Sequence, residues 1–99
     1  MAFVKAAHVK DVKPGEGKVV SLNGQEIALF SVDGKIHAIQ NNCPHRGGPL
    51  GEGMLDDAVV TCPWHGWRFN VVTGKSSSMP MAIKTYHVKV ENDDVLVDL

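Results

Sequence analysis

Cys43-Pro44-His45-Arg46-Gly47-Gly48-Pro49-Leu50 and Cys62-Pro63-Trp64-His65-Gly66-Trp67 hold both cysteines of a 99-residue chain. Each cysteine is followed closely by a histidine, and sixteen residues separate His45 from Cys62. Two stretches therefore each offer one thiolate and one imidazole. Soft thiolate together with borderline imidazole suits zinc or an iron–sulfur centre. Pro44 and Pro63 stiffen the chain beside each cysteine, which lowers the entropy lost when ligands are ordered. A zinc finger usually pairs its cysteines on one loop and its histidines on another. Here each stretch is mixed, which suits a dinuclear site reached from both sides. A Cys43–Cys62 disulfide is the alternative, and a reducing compartment disfavours it.

Outward from these stretches the pattern is that of short strands between turn signals, so an all-β antiparallel scaffold is expected. Phe3 to Val9 alternates, and Lys13-Pro14-Gly15-Glu16-Gly17 reads as a turn. Strands are expected over Lys18 to Leu22, Gln25 to Val32 and Lys35 to Gln40, joined by the two-residue hairpin signals Asn23-Gly24 and Asp33-Gly34. Ala58 to Thr61 and Arg68 to Val72 read as strands beside the second cysteine. Lys84 to Val90 and Val95 to Leu99 read as a hairpin around Glu91-Asn92-Asp93-Asp94. Gly47, Gly48, Pro49, Gly51 and Gly53 leave little after Asn41 that can pair in a sheet. One domain over 1–99 is expected, with a loop-rich insert at about 41–76.

The spacing Cys-x-His, sixteen residues, Cys-x-x-His, with these flanks, resembles the Rieske family, and the strand pattern extends the resemblance over nearly the whole chain. The resemblance implies a Rieske fold and a [2Fe–2S] cluster. One iron would be held by Cys43 and Cys62, the other by His45 and His65. Two ferric ions, two sulfides, two thiolates and two neutral imidazoles sum formally to about zero, against about −2 with four thiolates. Histidine ligation therefore raises the potential. High-potential members place a serine and a tyrosine where this chain has Trp67 and Phe69, neither of which donates a hydroxyl hydrogen bond. They also carry a second cysteine in each loop, forming a disulfide. This chain has no cysteine over Arg46 to Leu50, and Trp64 stands where the second would be. The implied protein is a low-potential ferredoxin-type carrier that takes electrons from a reductase to a terminal oxygenase. Ser78-Met79-Pro80-Met81 is expected to form a third loop over the cluster. Arg46 and Trp64 are candidate docking residues, while Trp67 is read as a core anchor. Other readings are a small Rieske-type subunit of another redox enzyme, such as assimilatory nitrite reductase, a zinc-stabilised interaction module, or a redox sensor.

Ten Lys+Arg against eleven Asp+Glu give a formal charge of −1, which argues against nucleic acid as a partner. No run of eighteen apolar residues suggests a membrane span. The opening residues lack the basic region and apolar stretch of a secretory signal, so a cytoplasmic monomer is expected. Three histidines lie outside the motif. His87 is expected at the surface beside Thr85 and Lys89, with Tyr86, Val88 and Val90 on the other face. His8 and His37 are read as structural. No residue is expected to act in catalysis.

Overall fold

The structure, a computed structural model, describes residues 3–44, 47–64, 66–76 and 80–99. Its strands are β1 (Phe3–His8), β2 (Lys18–Leu22), β3 (Gln25–Val32), β4 (Lys35–Gln40), β5 (Met54–Asp56), β6 (Val59–Thr61), β7 (Arg68–Asn70), β8 (Thr85–Tyr86), β9 (Val88–Glu91) and β10 (Asp94–Asp98). They form three antiparallel sheets, β1-β10-β9, β2-β3-β4-β8 and β5-β6-β7. Two 3₁₀ turns, Val9–Asp11 and Leu50–Glu52, are the helical elements among the described residues. None is long and apolar enough to cross a membrane. The all-β antiparallel scaffold expected from the sequence is present.

The β2-β3-β4 meander follows from its turns. Asn23 and Gly24 have φ of 50° and 79°, and Asp33 and Gly34 have 51° and 80°. Both pairs supply the two left-handed residues that a tight hairpin matching strand twist needs. They fix the pairings Leu22↔Gln25 and Val32↔Lys35, and with them every residue's face. β3 is buried on both faces. Ile27 and Leu29 pack with Ala7, Val12, Ala38, Val95 and Val97. Ala28 and Phe30 pack the other way, with Ile39, Leu50, Val60, Phe69, Val71 and Ile83. Each such Ile, Leu, Val or Phe side chain contributes about 1.5–3 kcal/mol by leaving water.

Four expectations need correction. The strand placed over Lys84 to Val90 breaks at His87, where the chain changes sheets. Tyr86 pairs with Ala38 in one sheet, whereas Val88 pairs with Val97 in another. The His87 carbonyl accepts the Asp98 N–H at 2.9 Å across the break. Tyr86 and Val88 on either side of the break pack against the same core, but Val90 is 48% exposed rather than turned inward with them; His87 is exposed, as expected. The last hairpin turns on Asn92 and Asp93 alone, with φ of 50° and 69°, so Asp94 already pairs with Glu91. β7 stops at Asn70 instead of Val72. The Asn70 side-chain oxygen accepts the N–H groups of Val72 and Thr73 at 2.8 and 3.1 Å and bends the chain. β5, unforeseen, pairs Met54↔Thr61 and Leu55↔Val60.

β1 lies against β10, with Phe3 opposite Asp98 and His8 opposite Asp94. A bulge between Lys5 and Ala7 interrupts the ladder.

Candidate metal centre

The first cysteine stretch joins β4 to β5, and the second joins β6 to β7. Their backbones close in the same way. Cys43 N–H donates to the Gly48 carbonyl at 2.8 Å, and Gly47 N–H donates back to the Cys43 carbonyl at 2.7 Å. Cys62 N–H donates to the Trp67 carbonyl at 2.7 Å, and Gly66 N–H donates to the Cys62 carbonyl at 3.0 Å. Gly47 and Gly66, at φ of 74° and 76°, occupy equivalent left-handed positions that favour glycine. The sequence showed two cysteine–histidine pairs; the structure places the two cysteines on two copies of one turn.

Cys43 and Cys62 are each 2% exposed and are not joined as a disulfide. Both belong to the core that holds Phe69, Leu50 and Val60. By sequence, His45 and His65 fall within the two closed turns. His45, Arg46 and His65 lie outside the described residues, as do Ser78 and Met79 of the expected covering loop. Pro80 is exposed. Ser76 N–H donates to the Met81 carbonyl at 3.0 Å, and Ser76 Oγ donates to the Arg68 carbonyl of β7 at 2.8 Å.

Trp67 is half-buried against the cysteine-containing core, as expected of an anchor, and Phe69 is wholly buried within it. Trp64 is 58% exposed and belongs to neither core. A groove of about 720 Å³ runs beside the second turn, lined by Met54, Leu55, Cys62, Pro63, Gly66 and Arg68.

Asn41 was not singled out by sequence. It is 4% exposed, and its side-chain oxygen accepts the Gly51 N–H at 2.8 Å. Its backbone N–H donates to the Glu26 carbonyl at 3.1 Å, and its carbonyl accepts the Leu50 N–H at 2.7 Å. Asn41 thus ties the two ends of the first loop together through its side chain and backbone, and its backbone N–H ties them to β3. A buried amide with its carbonyl satisfied is a strong positional constraint. No local pattern distinguishes it from Asn42 beside it.

His8 is structural: its Nδ1 accepts the Lys10 N–H at 3.1 Å and caps the first 3₁₀ turn. His37 is half-buried in a separate groove that Lys35 and His87 also line. Burial, and then the Lys35 charge, lower its pKa from the ordinary 6.5.

A sequence model of the Rieske [2Fe-2S] domain matches residues 2–89. The chain belongs to the Rieske [2Fe–2S] family. The biphenyl dioxygenase ferredoxin subunit of Pseudomonas sp. (strain KKS102) is 45% identical over 101 residues, covering 99% of this chain and 93% of that one. The solved ferredoxin of Sphingomonas yanoikuyae B1 superposes with a TM-score of 0.92 at 32% identity, covering 99% of each chain. A chain in the solved complex of reduced oxygenase and oxidized ferredoxin in carbazole 1,9a-dioxygenase matches 96% of this chain and 100% of its own length. Its TM-score is 0.88 and its identity 32%. The cofactor of this Rieske chain is a [2Fe–2S] cluster, and the chain is an electron carrier rather than an enzyme on its own. Two buried cysteine sulfurs on matching turns fit the thiolate half of such a centre.

Proposed function

We propose that Cys43 and Cys62 hold one iron of the cluster and His45 and His65 the other, at the loop end of a single domain whose cluster-binding insert spans about 41–76. The observation that carries this reading is the pair of equivalent turns, each withdrawing one cysteine from solvent beside one histidine in sequence. When bound, the cluster supplies a one-electron couple. The chain's own residues hold the thiolates in an apolar core and place the ligand loops at the chain's connecting segments. In this reading the protein carries electrons from a reductase to a terminal oxygenase in the cytoplasm, as a monomer that docks transiently. The relatives that are ferredoxin components of dioxygenases support it. So does the relative solved in complex with its oxygenase. Trp64, which is exposed, and Arg46, which follows the first motif histidine in sequence, are the proposed docking residues, and Pro80 belongs to the proposed cover.

Trp67 and Phe69 offer no hydroxyl hydrogen bond to a ligand or bridging sulfur, which supports a potential at the low end of the Rieske range, on the order of −150 mV. Iron and sulfide analysis with protein-film voltammetry tests the reading. Two irons and two sulfides per chain are expected, and Cys62→Ser should lose both, whereas His87→Ala should keep them. Phe69→Tyr should raise the midpoint by some tens of millivolts, up to about 60. Zinc in place of iron, or a wild-type midpoint well above zero, would overturn it.

A further inference from the structure

The two ligand turns touch at Gly48. A β-carbon placed there would fall 2.8 Å from Cys62 Sγ and 3.1 and 3.2 Å from Cγ and Cδ2 of the Trp64 ring. Nothing at that position needs left-handed backbone, since Gly48 is not among the residues with positive φ. The requirement is space. Gly48 is buried, although Trp64 is 58% exposed, so the indole has one side in water and the other on the glycine. The contact joins residue 48 of the first turn to residues 62 and 64 of the second. The backbone bonds from Cys43 to Gly48 and from Cys62 to Trp67 each close their own turn, so they do not make that connection.

We infer that Gly48 and Trp64 form a non-covalent clasp between the two ligand turns, with the indole seated on the glycine beside the Cys62 sulfur. Gly48 is a positioning residue that acts through Cys62 and Trp64. Its missing side chain lets the sulfur of one turn and the backbone of the other come into contact. Trp64 adds an apolar plate on the outer side of that contact. The two turns then move together, and opening one requires lifting the ring from the other. The expected consequence is slow loss of the cluster: the clasp limits separation of the turns, which must precede ligand exchange with solvent. This inference rests on the ligand assignment proposed above.

The test uses the holoprotein and three variants, Trp64→Ala, Trp64→Phe and Gly48→Ala. The readouts are the rate at which the visible cluster absorbance bleaches in excess chelator, the visible circular dichroism, and amide exchange at Cys43 and Gly47. Trp64→Ala removes an exposed ring that belongs to neither core, so the scaffold stands. It should purify with full iron yet lose the cluster about fivefold faster or more, the scale of a lost ring contact. Trp64→Phe keeps a ring over the glycine and should restore most of the wild-type rate. Gly48→Ala should alter the visible dichroism, because its methyl pushes on the sulfur, and should speed bleaching. Wild-type bleaching and amide exchange in Trp64→Ala would overturn the clasp. So would a Trp64→Phe variant as labile as Trp64→Ala. Zinc in the purified wild type would fell the ligand assignment instead, and amide exchange at Cys43 and Gly47 would still judge the clasp.

Discussion

On one face of β3, Ile27 and Leu29 meet Ala7, Val12, Ala38, Val95 and Val97. On the other, Ala28 and Phe30 meet a set that includes both cysteines. The first core is closed by strands of five to eight residues whose ladders run along β1, β10, β2, β3 and β4. The second is covered by β5, β6 and β7, each three residues long, and by two turns. Strands that short add little stability by themselves. The lesson of the contrast is that one face of β3 stands on apolar burial, while the other borrows from hydrogen-bonded loops and from what those loops bind.

Metal removal is the sharpest way to break that comparison. Metal binding contributes folding free energy where ligands hold a loop. Stripping the cluster should raise amide exchange by more than about tenfold between residues 41 and 74, while the β2-β3-β4 ladder keeps its protection. Equal protection of both regions in apo and holo samples would show that the second core needs no ligand.

A smaller effect is expected from Asn41→Ala. It strands the buried Gly51 N–H, a loss of roughly 1–3 kcal/mol. Denaturant unfolding followed by far-UV dichroism measures that loss. Amide exchange should place it in the first loop and leave β1 and β10 unchanged. A loss spread over both cores would mean that Asn41 supports the scaffold instead.

The smallest effect concerns His37, on the scaffold side. Its folded pKa is depressed by burial and by Lys35. The unfolded chain then binds the extra proton more readily. The stabilisation is complete above pH 6.5, the ordinary histidine value, and is lost as pH falls through the lower folded value. His37→Gln should flatten the acid side of the stability curve below about pH 6.5. An unchanged slope would mean that His37 does not set the acid limb.

Legibility in the sequence followed how local the cause was. The bounds of β2, β3 and β4 match expectation residue for residue, because Asn23-Gly24 and Asp33-Gly34 dictate both turn and register. The two cysteine stretches stood out for a similar reason, since each turn closes between residues close in sequence, Cys43 with Gly48 and Cys62 with Trp67. The break at His87 was not readable. Alternation continues through Thr85, Tyr86, His87 and Val88, and only the distant partners Ala38 and Val97 separate the strands. β5 was hidden among glycines, because its pairing depends on Val59 to Thr61. Asn41 and Gly48 act on Gly51, Cys62 and Trp64, contacts no local pattern encodes.

The pairing of β1 with β10 has a consequence for how the protein is made. Phe3 must find Asp98, a partner far along the sequence. During synthesis the β2-β3-β4 meander can form once residues 18–40 have left the ribosome. The β1-β10-β9 sheet must wait until residues 88–98 have followed. Contacts that distant carry the largest loop-closure entropy and are made late. Until then Ile27 and Leu29 present their face of β3 uncovered. The nascent chain therefore passes through a stage in which half of its central strand is exposed to whatever else is sticky nearby.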